Sequence, residues 1–213
     1  MSHRTLTRSL FAAPLLALGL AAGAQAQNYA FSCVSNNNAA NCATGEAQLG
    51  LSLTQGAGYV DFLFTNSGPT ASSITDIYFD WLNDAAAFAQ GTITSSTGVD
   101  FSWGASPANL PSGNSLTPDF QANLGADSNS PTQPNGVNPG EWVSFRFLTG
   151  VTTTADDLFS GALRVGIHTQ GFSNGGSESF VTIASPAPEP EAFAMMLLGL
   201  AGVGAMVRRK RQR

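Results

Sequence analysis

The sequence predicts an all-β fold, an antiparallel β-sandwich or jelly-roll-like body set between two apolar terminal segments. Three observations carry this. Short stretches along the body alternate apolar and polar residues with period two, the mark of half-buried strands. Turn-forming Gly, Ser, Thr and Asn abound, while only 11% of residues are charged, too few to clothe several solvent-facing helices. Helix signals are scarce, and the number of short strands with turn-rich joins suits two packed sheets.

The strands follow in order. Ala47, Leu49, Leu51 and Leu53 share one face, and Val60, Phe62 and Phe64 the next, ended by the turn Asn66-Ser67-Gly68-Pro69. Ile77, Phe79 and Trp81 oppose Asp76, Tyr78 and Asp80, and Val99, Phe101 and Trp103 repeat the pattern. So do Val143, Phe145 and Phe147 against Ser144 and Arg146, and Leu163, Val165 and Ile167 against Arg164 and His168. Glu178 to Ile183 reads as a last strand. Thr154 to Phe159 and Asp84 to Gln90 are the two short helical candidates. From Gly104 to Gly140 the chain is rich in Pro, Asn, Ser and Gly and reads as a long surface crossing. So long a loop without structure would be unusual, so a short strand is expected near Phe120 to Leu124.

The amino-terminal end starts with Arg4 and Arg8, continues through the apolar Leu10 to Ala22 and reaches Ala24-Gln25-Ala26. Positive start, short apolar helix and small-x-small site define a secretory signal, cut by signal peptidase after Ala26. The other end mirrors it. Pro188-Glu189-Pro190 and Glu191 precede Ala192 to Val207, which hold no charge, and Arg208, Arg209, Lys210, Arg211 and Arg213 close the chain. Sixteen helical residues span about 24 Å, and snorkelling arginines make up much of the difference from a ~30 Å hydrocarbon core. The span reads as a single transmembrane helix, with the basic tail cytoplasmic. The chain therefore divides into a signal peptide (1–26), a body (27–184), a Pro-rich linker (185–191), a membrane span (192–207) and a basic tail (208–213).

Between those ends the body keeps only two basic residues, Arg146 and Arg164, against twelve acids, a net charge near −10. Nucleic acid is excluded as a partner, because nothing here neutralises phosphates. Cys33 and Cys42 are the only cysteines, and an even pair in an oxidising compartment is most simply a disulfide. Closing its ten-residue loop contributes about 2.7 kcal/mol by chain entropy. Two thiols without neighbouring histidines make a poor metal site.

The order Pro-Glu-Pro, short Gly- and Leu-rich span and terminal arginine cluster, over Pro188 to Arg213, resembles the PEP-CTERM sorting signal. The resemblance implies export, a transient inner-membrane anchor and processing near Pro188-Glu189-Pro190 by an exosortase. It also implies residence at the cell surface or in the extracellular matrix of a Gram-negative bacterium, alongside exopolysaccharide. Ile74 to Asp80, Asn109 to Asn114, Gly136 to Glu141, Gly166 to Phe172 and Gly175 to Phe180 resemble blocks of PEP-CTERM cargo proteins. That second resemblance implies a secreted β-rich domain and brings no catalytic residues with it.

Chemistry is thin in the body. Gly171-Phe172-Ser173-Asn174-Gly175 fits G-x-S-x-G, but a strand follows it where a nucleophile elbow needs a helix. His168, the body's only histidine, reads as a hydrogen-bonded structural residue, since one histidine supplies one ligand. Asp76 and Asp80 share a strand face about 13 Å apart, too far to chelate one ion, while Asp80 with Asp84, or Asp156 with Asp157, could give carboxylates to calcium; solvated acids are the simpler reading of them all. No cofactor and no metal are expected, and no catalytic residue is assigned. Trp81 and Trp103 follow apolar faces and read as core, whereas Trp142 shares its face with Ser144 and Arg146 and is the candidate glycan contact. Two functions stay open: a non-enzymatic surface or matrix protein associated with exopolysaccharide, and a lectin-like module that binds it. An extracellular hydrolase is disfavoured.

Overall fold

Ten antiparallel strands lie in the hydrogen-bonded order β5-β8-β3-β2-β1-β10-β9-β4-β7-β6. The computed structural model describes residues 26–82, 89–148 and 163–183. The strands are β1 (Ala26–Cys33), β2 (Leu49–Gly56), β3 (Tyr59–Asn66), β4 (Ser73–Trp81), β5 (Thr92–Ser95), β6 (Phe101–Trp103), β7 (Leu124–Ser128), β8 (Trp142–Leu148), β9 (Leu163–Gln170) and β10 (Ser177–Ile183). The antiparallel β body is as expected. Its two layers are not separate sheets, however, but one sheet folded over through β1. Residues 26–29 of that strand pair with β2, and residues 30–33 pair with β10. The free ends of the sheet approach each other on the far side, where the Trp103 indole N–H on β6 donates to the Gly91 carbonyl just before β5 (3.0 Å). The result is a flattened, nearly closed barrel, with a front layer β5-β8-β3-β2 and a back layer β10-β9-β4-β7-β6 joined by β1.

Period two explains the core. Leu49, Leu51, Leu53, Val60, Phe62, Phe64, Val143, Phe145 and Phe147 point inward from the front, and Ile77, Phe79, Trp81, Val165, Ile167 and Phe180 meet them from the back. The phenylalanines pack edge to face, with Phe79 5.1 Å from Phe147 and 5.3 Å from Phe62 between ring centroids. Such pairs add about 0.5–1.5 kcal/mol each beyond area burial. β3 and β8 alternate between buried and more exposed residues, as strands with one wetted face do. β4 is buried at all nine positions, because its second face is also covered.

The cover is the crossing after β6. Leu110 and Phe120 sit with Tyr78 and Val181 in a second apolar cluster on the outside of the back layer. Gly166 permits this approach, since a Cβ there would lie 2.9 Å from Leu110 Cδ2 and 3.0 Å from Phe120 Cζ. Expected as a surface loop, the crossing is a packed third layer, and its strand is β7 at Leu124–Ser128 rather than Phe120 to Leu124. Phe120 is instead a fully buried anchor.

The stretch before β2 departs most from expectation. Ala39–Gln48 is a helix, α1, so Ala47 is helical and the strand alternation starts at Leu49. The Asn38 side chain caps it by accepting from the N–H groups of Ala40 (2.9 Å) and Asn41 (3.3 Å). The Cys33–Cys42 disulfide ties α1 to β1. Gly45 lets the helix lie on the barrel end, because a Cβ there would fall 2.1 Å from Phe180 Cζ. A second short helix, α2 (Thr132–Asn135), packs on β4 and β7. Val99 is buried ahead of β6 rather than within it. Among the described residues no helix is long and apolar enough to cross a membrane. The signal helix, the 192–207 span, the Thr154 to Phe159 candidate and most of Asp84 to Gln90 lie outside the described residues.

Candidate functional site

Two outer faces differ in what covers them. On the front layer, cross-strand register lines up Thr92, Arg146, Asp61 and Thr54 in one row, and Thr94, Ser144, Leu63 and Ser52 in the next. Arg146 donates to both carboxylate oxygens of Asp61, from Nε at 2.7 Å and Nη2 at 2.6 Å. Its guanidinium carbon sits 4.1 Å from the Tyr59 ring centroid, a cation–π contact. Trp142 stands on this face four residues from Arg146, about 13 Å along the strand, and is 37% exposed. The sequence placed Trp142, Ser144 and Arg146 together, and the structure does the same. Hydroxyls, one planar ion pair and one partly exposed indole make a shallow polar platform.

The outer face of the back layer is the covered one. A polar row crosses it through Ser102 (β6), Asp127 (β7), Asp76 (β4), His168 (β9) and Ser179 (β10), each paired in register with the next. A β-bulge at Thr75 puts Ile74 into the core and still turns Asp76 outward. The Thr75 hydroxyl donates to Asp76 Oδ2 (2.6 Å) and the Tyr78 hydroxyl to the Pro107 carbonyl (3.0 Å). Burial and the neighbouring Asp76 raise the Tyr78 phenol well above its ordinary range, so it stays protonated. Asp80, farther along the same face, pairs with Arg164. Asp76 and Asp80 are therefore buried, not solvated as expected, because the crossing roofs them. Asp80 is consumed by its ion pair, while Asp84, Asp156 and Asp157 lie outside the described residues.

His168 is hydrogen-bonded, as expected, its Nδ1 lying 3.1 Å from Ser179 Oγ. Burial lowers its pKa, which favours the neutral ring. A hydroxyl, an imidazole and a carboxyl in a line have the composition of a nucleophile set. Ser179 is wholly buried, however, so no substrate carbonyl reaches its oxygen. Ser173 of the G-x-S-x-G sequence lies in the turn between β9 and β10, closed by the Gly175 N–H on the Phe172 carbonyl (2.7 Å).

At the barrel end, Glu178 accepts from the Ser35 hydroxyl and from the N–H groups of Asn37 (3.0 Å) and Asn38 (2.7 Å). Donor atoms of Cys33, Cys42 and Glu178 lie within 4.8 Å of one another, but the two sulfurs are joined and offer no thiolate. Neither Glu178 nor Asp127 was singled out in the sequence. Both stand at polar positions of strands that appear half-wetted until the residues covering them are known.

Ala26 is the first residue of β1 and pairs with Thr54, so cleavage after it leaves a strand that begins at Gln27. Ala24, Pro188, Glu189, Pro190 and the basic residues from Arg208 to Arg213 lie outside the described residues. Comparison with known proteins bears on that end. Residues 186–211 match the PEP-CTERM protein-sorting motif. No curated protein and no solved structure matches the chain. A β-rich body is thus followed by a PEP-CTERM sorting motif, which supports processing of the chain by an exosortase.

Proposed function

We propose that the chain is a non-enzymatic surface or matrix protein, delivered by an exosortase and associated with the producing cell's exopolysaccharide. The sorting motif at 186–211 is the observation that carries this reading. Signal peptidase removes the first 26 residues, the apolar span holds the protein briefly in the inner membrane, and processing near Pro188-Glu189-Pro190 frees the body. A body near −10 with no lysine stays soluble and avoids nonspecific polyanion binding. Fractionation of cells with and without the exosortase tests the delivery. The protein should move from the matrix fraction to the inner membrane when the enzyme is deleted, and an unchanged distribution would refute the reading.

A lectin-like role is the second reading, favoured by the open front face with Trp142 beside Ser144 and Arg146. Retention of the purified protein on the producer's own polysaccharide, reduced when Trp142 is replaced by alanine, would support it over a passive matrix role.

A further inference from the structure

The row across the back layer sets two carboxyl groups against each other. Asp76 and Asp127 are register partners on β4 and β7 and both point outward beneath the crossing. Like charges directly opposite on neighbouring strands repel. No arginine relieves them, since Arg146 is engaged with Asp61 and Arg164 with Asp80. Asp76 Oδ2 is taken by the Thr75 hydroxyl, and Asp127 Oδ2 accepts the Ser106 N–H (2.8 Å). Asp127 Oδ1 is enclosed and meets no N–H group. The register places the two carboxyl groups side by side, and the enclosed Asp127 Oδ1 has no other partner. A carboxyl–carboxyl hydrogen bond exists only when one of the two carries a proton.

These groups also hold the roof. The Ser106 N–H bound to Asp127 and the Pro107 carbonyl bound to Tyr78 tether the start of the crossing after β6, and Tyr78 Oη lies 3.4 Å from Asp76 Oδ1. Leu110 and Phe120 follow directly and cover Tyr78. We propose that the Asp76–Asp127 pair is a proton-operated latch, which keeps the crossing from Gly104 to Asn123 seated while the pair shares a proton and loosens it when both carboxyls are ionised.

The surroundings fix the sign. Tyr78 on β4 is neutral throughout; His168 on β9 pulls Asp127 down when it is charged, but burial favours its neutral form, so that pull fades as pH rises. Glu178 on β10 acts on His168 from the other side and adds negative charge. β6 and the crossing contribute the Ser102 hydroxyl, the Ser106 N–H and the Pro107 carbonyl, and α2 (Thr-Gln-Pro-Asn) contributes no titratable group. Burial and the bond to Asp76 push Asp127 up to about 7, against the Ser106 N–H, which pulls it down. A carboxyl raised on folding stabilises the closed state fully below its unfolded pKa of about 4, and the contribution is lost as pH rises through about 7. An exported protein meets that window directly, because external pH is not buffered by the cytoplasm. The latch stands independently of the polysaccharide reading.

Hydrogen–deuterium exchange on the full chain at about pH 5.5 and about pH 8.5, corrected for intrinsic exchange, tests it. The linked stabilisation falls about tenfold per pH unit between about pH 4 and pH 7 and is flat above, so the two conditions differ by about thirtyfold. Peptides from the crossing should lose protection by up to that factor, while β3 and β8 hold theirs. Asp127→Asn, whose amide can donate to Asp76, should remove the pH dependence. Equal corrected protection at both pH values, or an Asp127→Asn protein with the wild-type dependence, would overturn the latch. Should that variant fail to fold, carboxyl carbon NMR on the wild type decides instead. One carbon of the pair titrating near pH 7 supports the latch, and both titrating near pH 4 contradict it.

Discussion

Arg164 reaches from β9 to Asp80, its register partner on β4, and with the same guanidinium donates to the Pro118 and Asp119 carbonyls, both at 2.7 Å. One half-buried cation thus neutralises Asp80 and pins the middle of the crossing. Replacing Arg164 by methionine removes the charge and keeps much of the stem. It leaves Asp80 buried without its partner, at a cost of about 3–5 kcal/mol. Urea unfolding should show that loss, and a variant within 1 kcal/mol of wild type would remove Arg164 from this role.

Gly45 and Phe180 set how closely α1 lies on the barrel. Gly45→Ala drives a methyl into the Phe180 ring, and overpacking of this kind costs about 1–3 kcal/mol. The combination with Phe180→Leu should recover part of the loss in thermal melts, because the leucine vacates the space. Additive effects would show that the two sites do not meet.

The Cys33–Cys42 bridge should appear as one linked peptide in non-reducing mapping of exported protein. Replacing both residues by serine should lower stability by about 2.7 kcal/mol. Two free thiols in the exported form would contradict the pairing.

Trp142 is a test of function rather than stability. It is partly exposed on the open face, so Trp142→Ala should change stability by no more than about 0.5 kcal/mol. A lectin-like role then requires weaker retention on polysaccharide without unfolding. Unchanged retention would leave the front face without that role.

Much of this architecture was legible because alternation in a strand reports burial directly. Phe62, Phe64, Phe145 and Phe147 fall inward wherever the sheet goes. Trp142 was legible for the same reason, as the polar-phase neighbour of Ser144 and Arg146. The α1 helix was not, although Asn38 ahead of two alanines is a capping signal. Its short, weakly amphipathic sequence is held by the disulfide and by contact of Gly45 with Phe180, which are long-range facts. Asp76, Asp80 and Asp127 were misjudged or passed over for one reason. A polar residue on a strand reads as solvated, and only the crossing with Leu110 and Phe120 turns that face into an interior. The register between Asp76 and Asp127, fifty-one positions apart in the chain, has no local trace.

Processing at both ends is the centre of the account, and intact-mass measurement of the mature protein from its native host tests it most directly. The mass should correspond to a chain that begins at Gln27 and lacks Arg208 to Arg213. A mature surface protein that retains its full carboxyl terminus would contradict it.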